Sequence, residues 1–250
     1  LNSNFKSKKL SPSQINACTA IMDLQKTDSF SAILLQGVTG SGKTEVYLEA
    51  VANALKNGEQ VLVLLPEIAL TSEFFNRVKN RFGANPAEWH SGATLAERRR
   101  IWKMVASGGA KLVIGARSAL FLPFMNLGLV IIDEEHDHSY KQEDGVIYNA
   151  RDMAVLRSSI EGIPVILASA TPSLESWVNA KNGKYNHVQI HERFGQATLP
   201  SLSVVDLRTE NLKSDEWISD SLENSITECL KNEEQSLSLI HISEPTRLAE

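Results

Sequence analysis

Cysteine is almost missing from this sequence: Cys18 and Cys229 stand far apart and neither belongs to a CxxC pair. That excludes a disulfide framework and a zinc cluster in this stretch, and it makes a reducing, cytoplasmic setting the expectation. Long apolar runs are missing too. The longest, residues 119–132, is broken by Pro123, Asn126 and Gly128, so nothing offers the roughly 18 uninterrupted apolar residues a membrane helix needs. No membrane partner is expected. An initiator Met is absent, and Lys6, Lys8 and Lys9 stand where a secretory signal would carry its apolar core; the chain is expected to be a piece of a longer protein. Glycine and proline, 14 and 8 in 250, are too few for collagen or for a low-complexity chain.

What is present is an ordinary globular composition, 42% hydrophobic and 22% charged, enough apolar material for a sizeable core. The net charge of −5 is unevenly laid out. Residues 1–204 carry 21 Lys and Arg against 19 Asp and Glu, whereas residues 205–235 carry 3 against 9. The total therefore argues neither for nor against a polyanionic partner, which responds to local patches.

Short apolar runs alternate with stretches of helical spacing. Strands are expected at residues 33–35, 61–65, 112–114, 129–132, 165–167 and 203–205, each apolar nearly throughout, as strands are when helices cover both sheet faces. Helices are expected at residues 43–56, 71–82, 94–107, 149–160, 172–182 and 218–231. Thr94 with Glu97 spells a capping box, and Gly58, Gly83 and the Gly108-Gly109 pair follow as stops. The alternation predicts an α/β fold, a doubly wound, mostly parallel sheet with its ligand at the carboxyl ends of the strands.

Gly37, Val38, Thr39, Gly40, Ser41, Gly42, Lys43 and Thr44 run consecutively and match GxxxxGK[ST], directly after an apolar strand and before a helix. Such a loop wraps phosphates with backbone N–H groups, its glycines permitting close approach, while the Lys reaches the β/γ-phosphates and the Thr hydroxyl can ligate Mg²⁺. ATP and Mg²⁺ are the expected ligands. Residues 129–136 read as a buried strand ending in Asp133, Glu134, Glu135 and His136. Held on a neighbouring strand opposite the phosphate loop, Asp133 can take Mg²⁺ and Glu134 can orient and deprotonate an attacking water. Adjacent strand residues face opposite sides, so both roles require the chain to turn just there. His136 alone is an ordinary hydrogen-bonder, and the run Arg98, Arg99, Arg100 with Lys103 is most simply a solvated helix face.

With these elements the chain resembles the first motor lobe of superfamily 2 helicases, and more narrowly the replication-restart helicase family. The narrower resemblance rests on LLQGVTGSGKTEVY at 34–47, LPEIALT at 65–71, HSG at 90–92, IGARSALF at 114–121, IDEEHD at 132–137, SYKQ at 139–142, YNARD at 148–152 and SATP at 169–172. It covers roughly residues 10–210, and the order and combination of strings make it specific. It implies a RecA-like P-loop NTPase lobe over residues 1–235 and an ATP-dependent 3′-to-5′ DNA helicase. Single-stranded and forked DNA and the replication-restart (primosome) proteins are the implied partners.

The resemblance also implies roles. Gln14 occupies the place where such motors read the adenine edge; a surface Gln at a helix start is the equal alternative. Residues 66–71 and 115–118 match segments lining the single-stranded DNA path, with Thr71, Arg117 and Ser118 turned to phosphate. Thr71 also spells a helix N-cap. Tyr140, Lys141, Gln142, Tyr148 and Arg151 match an aromatic-rich loop that couples DNA to hydrolysis; it would offer stacking faces beside a cation, against the plainer reading of a solvated loop with two half-buried tyrosines. His136 is expected among the residues that couple the nucleotide and DNA sites, and Ser169 and Thr171 match a switch between them, with Thr171 alternatively an N-cap before Pro172. The family's second lobe, its arginine finger and its zinc clusters would all lie beyond about residue 235, so no zinc is expected here.

Two other readings stand beside this one. The chain alone is a nucleotide-binding module without turnover, or it is another superfamily 2 translocase such as a restriction-type motor, which shares the phosphate loop and Asp133-Glu134 but does not predict the Tyr140-to-Arg151 string. Residues 236–250 break the strand-helix pattern, and residues 237–247 resemble the translation of a transposase adapter used in sequencing libraries. They are expected to be a non-native tail; a genuine strand and loop is the alternative.

Overall fold

In the strand Ala32–Gly37 (β1), Ile33 and Leu35 pack into one apolar cluster while Ala32 and Leu34 pack into another. The two clusters lie on opposite faces of a sheet, because successive side chains of a strand point opposite ways. The other inner strands of the sheet repeat this division, which is why their runs are apolar throughout. The computed structural model describes residues 1–193 apart from 4 and 28, together with 201–209 and 218–237. The chain divides into two compact units, Leu1–Ala197 and Thr198–Glu250.

The first unit follows the order α1 (Pro12–Gln25), β1, α2 (Lys43–Lys56), β2 (Gln60–Leu64), α3 (Ser72–Phe82), β3 (Ala87–Trp89), α4 (Leu95–Ala106), β4 (Leu112–Gly115), β5 (Leu127–Asp133), β6 (Lys141–Gln142), β7 (Tyr148–Asn149), α5 (Ala150–Glu161), β8 (Val165–Ser169), α6 (Leu174–Lys181) and β9 (Asn186–Ile190). Among the described residues seven strands form one sheet in the order β3-β4-β2-β5-β8-β1-β9, with every neighbouring pair parallel. The cluster under α1, α2 and α3 contains Ile21, Tyr47, Val51, Val78 and Phe82; the cluster on the other face contains Ile101, Val105, Ala150 and Ala154 from α4 and α5. This is the doubly wound α/β fold expected.

Local signals set the helix ends. Ser11 and Gln14 close a capping box at α1, with Pro12 at the first helical position, and Thr94 and Glu97 close the expected one at α4. Thr71 caps α3 through its hydroxyl and Gly83 ends that helix in the left-handed region. Thr171, by contrast, caps nothing: Ser173 caps α6. The helix α1, the three-residue β3, the hairpin β6–β7 and β9 escaped the sequence reading.

In the second unit α7 (Asp220–Lys231) follows its cap Ser219, two residues later than the start expected at residue 218. Residues 203–205, expected as a strand, form none. They are exposed and have no ladder partner among the described residues, so their backbone is open to water, and the chain runs into a turn in which the Asp206 carboxylate accepts from the Arg208 N–H. Residues 238–250, most of the expected non-native tail, lie outside the described residues.

Candidate nucleotide site

The carboxyl ends of the strands form one edge, and the segments leaving them stand in the order 115–118 after β4, 66–71 after β2, 133–136 after β5, 169–171 after β8 and 37–42 after β1. The acids were expected on a strand beside the phosphate loop. One strand, β8, intervenes, because β1 pairs with β8 and β8 with β5. The loop and the acids nevertheless line one cavity of about 330 Å³, together with Lys8, Lys9, Leu10, Gln14, Lys43, Thr44, Glu45 and Arg77. That volume falls in the range of small-molecule sites.

The loop is built around two glycines. Gly42 has φ 82° and precedes α2; a Cβ there would be strained and would run into the Gln14 amide. A Cβ on Gly37 would meet the Ser41 hydroxyl and the Lys43 stem. The Ser41 hydroxyl itself is buried and has no protein partner among the described residues. Lys43 is 8% exposed and donates from Nζ to the Gly37 carbonyl at 2.8 Å, which folds the ammonium back over the cradle. An orphaned buried hydroxyl, a cradle a methyl would fill and an ammonium over it fit a phosphate chain at the helix N-terminus.

Asp133 ends β5 and accepts from the Tyr47 hydroxyl at 2.9 Å. Burial pushes its carboxyl above the ordinary range; the Tyr47 hydrogen bond works against that, and the neighbouring Glu134 charge adds to it. Tyr47 is fully buried, and burial with the Asp133 charge drives its own pKa well above 10, so its hydroxyl stays a donor. Glu134 takes φ 47°, the left-handed region. This is the turn that two adjacent acids on one site required. Glu134 and His136 approach to 3.6 Å, His136 Nδ1 shares a 2.8 Å hydrogen bond with Ser169 Oγ, and the Thr171 N–H donates to the same hydroxyl at 3.0 Å. His136 thus bridges the segments after β5 and β8.

Gln14 is 2% exposed, which corrects the alternative of a surface residue. It donates to the Ser41 carbonyl at 2.8 Å and accepts from the Ser11 N–H at 2.9 Å, so it braces the phosphate loop and keeps one amide hydrogen and one lone pair for a ligand. Of the residues expected along a DNA path, Thr71 is exposed at the start of α3, and the Ser118 hydroxyl accepts from Trp89 Nε1 at 3.1 Å. Arg117 donates to the carbonyls of Ser139 and Lys141 at 3.1 and 2.8 Å, tying the segment after β4 to the loop after β5.

That loop differs from expectation. Tyr140 is 1% exposed and its hydroxyl lies 2.7 Å from the Asp133 carbonyl and 3.0 Å from that of Leu64, so it offers no face to a base here. Tyr148 is half-buried with its ring edge-on to Phe121. Lys141 pairs with Glu143 at the surface. Arg151 is buried, donating to Asp152 and to the Ser173 hydroxyl. The large apolar side chains the loop exposes are Val146 and Ile147. Sequence reasoning missed Tyr47, one turn after Lys43, and missed Glu45, whose carboxylate holds Lys8 at 2.7 Å and Arg77 at 2.6 Å at the cavity wall. It also missed Glu135. The visible signal for Tyr47 was its place on a helix that enters the core at i+4 from Lys43.

A family model described as DEAD/DEAH box helicase matches residues 11–179. Among curated proteins, the "Replication restart protein PriA" of Rickettsia felis is 44% identical over 95% of this chain and 36% of its own length. The proteins of that name from Bacillus subtilis and Haemophilus influenzae are 43% and 48% identical over 80% and 74% of this chain and 25% of theirs. The chain thus spans about a third, or less, of the length of these relatives. Among solved structures, RecG bound to a three-way DNA junction aligns with a TM-score of 0.56 at 26% identity, over 75% of this chain and 24% of that one. A hypothetical ATP-dependent RNA helicase from Sulfolobus tokodaii aligns with a TM-score of 0.52 at 19% identity, over 74% and 53%, and shares the fold.

Proposed function

The chain belongs to the DEAD/DEAH box helicase family, and from that membership we propose that it is the ATP-hydrolysing, RecA-like lobe of a replication-restart DNA helicase working 3′-to-5′ in the cytoplasm. Single-stranded and forked DNA and other replication-restart proteins are its partners in this reading. The relatives named for replication restart, at 43–48% identity, support the biological setting. The observation that carries the chemistry is the convergence of Lys43, Thr44, Asp133 and Glu134 on one cavity wall-to-wall with the glycine cradle.

The mechanism follows from those groups. Backbone N–H groups of residues 39–44 and the Lys43 ammonium bind the triphosphate, with Lys43 exchanging the Gly37 carbonyl for phosphate oxygen. The Thr44 hydroxyl and the Asp133 carboxylate would hold Mg²⁺, which when bound draws charge from the β/γ-phosphates. Tyr47 keeps Asp133 turned into the cavity. Glu134 aligns a water for in-line attack and accepts its proton. His136 and Ser169 join the site of hydrolysis to the segment after β8, which the resemblance makes a switch between nucleotide and DNA.

The test is ATP turnover with and without single-stranded DNA, for this chain and for the complete gene product. The complete product should show DNA-stimulated turnover that Lys43→Ala abolishes, and the chain alone should turn over far more slowly, since an arginine finger from elsewhere typically contributes about 10³–10⁵ in rate. Turnover that survives Lys43→Ala would refute the assignment.

A further inference from the structure

Glu135 takes no part in the chemistry above, yet its side chain is 0% exposed and donors from two helices converge on it. The Ser173 N–H donates to Oε1 at 2.7 Å; the Ser173 and Ser176 hydroxyls donate to Oε2 at 2.9 and 2.8 Å; Arg151 Nη1 stands 3.5 Å from Oε2 and donates to the Ser173 hydroxyl at 2.6 Å. The Glu135 backbone N–H donates to the Ala168 carbonyl of β8 at 3.1 Å. The carboxylate thus fastens the chain just past β5 to the first turn of α6, and through Arg151 to the start of α5.

The residue so fastened follows Glu134, whose φ of 47° is costly for any side chain with a Cβ. Such a conformation persists only where its surroundings over-determine it. On the amino-terminal side the Tyr140 hydroxyl grips the Asp133 carbonyl. On the carboxyl-terminal side the grip is Glu135. A buried ion pair is a poor way to gain stability alone, since its desolvation offsets most of its attraction; here it fixes a geometry. We propose that Glu135 is a positioning residue for hydrolysis, holding the backbone turn that presents the Glu134 carboxylate to the nucleotide cavity. This inference rests on the ATP-hydrolysing reading above.

The test compares ATP turnover and fluorescent-ADP binding in the complete gene product carrying Glu135→Gln or Ser176→Ala. Glutamine keeps the shape but turns a hydrogen-bearing nitrogen toward groups that are themselves donors. Its kcat should fall on the order of 10- to 100-fold, the effect of an ångström-scale misplacement, with KM for ATP and ADP affinity unchanged. Ser176→Ala removes one donor that does not line the nucleotide cavity and should lower kcat in the same direction by less; it decides the matter if the glutamine variant fails to fold. A folded variant with unchanged kcat, or one losing ADP affinity in proportion to kcat, overturns the proposal. With Lys43→Ala run in parallel the failures separate: turnover that survives Lys43→Ala removes the hydrolase reading and this inference with it, whereas turnover lost there and kept at full kcat in the Glu135 and Ser176 variants removes the inference alone.

Discussion

Replacing Tyr47 by Phe should weaken Mg²⁺ far more than it weakens the nucleotide. The Tyr47 hydroxyl donates at 2.9 Å to Asp133, one of the two groups that would hold the metal. The ring is fully buried, and Phe fills the same space with the loss of one atom. A hydrogen bond to a charged group is worth about 1.5–3 kcal/mol, and 1.4 kcal/mol is a factor of ten, so the Mg²⁺ concentration for half-maximal turnover should rise roughly 10- to 100-fold. The sign is reinforced by the acid itself. Burial already raises the Asp133 pKa and the Tyr47 bond lowers it, so the variant's carboxyl moves further toward the neutral form. The assay is turnover titrated with Mg²⁺ at saturating ATP, with metal-free nucleotide binding as control. A half-saturating Mg²⁺ concentration equal to wild type, in a variant that melts normally, would refute the idea that Tyr47 orients the metal ligands.

Gly42→Ala should abolish nucleotide binding, because it forces a Cβ into the left-handed region, at about 1–2 kcal/mol, and against the Gln14 amide that braces the loop; fluorescent-ADP titration checks it, and retained affinity would contradict the cradle geometry. Glu45→Gln should lower stability at neutral pH by about 0.5–1 kcal/mol, modest because Lys8 and Arg77 are partly in solvent. Burial alone would raise the Glu45 pKa, yet hydrogen bonds from Lys8 and Arg77 bring it below the ordinary value. A depressed pKa gives stability that is present above the unfolded-state pKa and is lost as pH falls through the folded one, so the melting difference should shrink toward acid pH and vanish below the folded pKa. A difference that grows on acidification would reverse the assignment. His136→Ala should leave metal-dependent nucleotide binding intact and blunt DNA stimulation, read as the ratio of turnover with and without single-stranded DNA; an unchanged ratio would break the link drawn through Ser169.

How much of this was legible in the sequence depended on whether the signal was local. Thr94 at α4 and Thr71 at α3 made those helices readable to within a residue, because the capping atoms lie within one turn, whereas α1 went unread despite its Ser11–Gln14 capping box. Strands with both faces covered were readable from unbroken apolar runs. β3 and β9, the edges of the sheet, were not: Ala87–Trp89 is three residues long, and Asn186–Ile190 mixes polar and apolar residues because only Val188 and Ile190 are buried. At the site, the phosphate loop was visible because its chemistry is written in eight consecutive residues. The partners that arrive from far along the chain were invisible, among them Tyr47 on Asp133 at a separation of 86 residues and Ser173 on Glu135 at 38. Tyr140 and Arg151 read as a stacking face and a cation, or as parts of a solvated loop with half-buried tyrosines, because nothing local says that one hydroxyl will find the Asp133 carbonyl and one guanidinium a buried carboxylate.

The burial of those two residues changes what the loop after β5 can do. Aromatic and basic side chains turned outward would meet DNA directly, and their loss would weaken binding. Turned inward, Tyr140 grips the carbonyl of Asp133 and Arg151 holds the side chains of Asp152 and Ser173, while the half-buried Arg117 grips the carbonyls on either side of Tyr140. The segment after β4, the loop after β5 and the candidate metal ligand are thereby joined by two parallel hydrogen bonds from Arg117 and one from Tyr140. A force that displaces Arg117 from those carbonyls is felt at Asp133 through Tyr140, a packed ring that has no room to absorb it. Tyr140→Phe is therefore expected to change turnover, through the aspartate, more than it changes the affinity for single-stranded DNA. Measuring both on the complete gene product separates the two roles, and a variant that loses DNA affinity while keeping basal turnover would return Tyr140 to the surface role its sequence suggested.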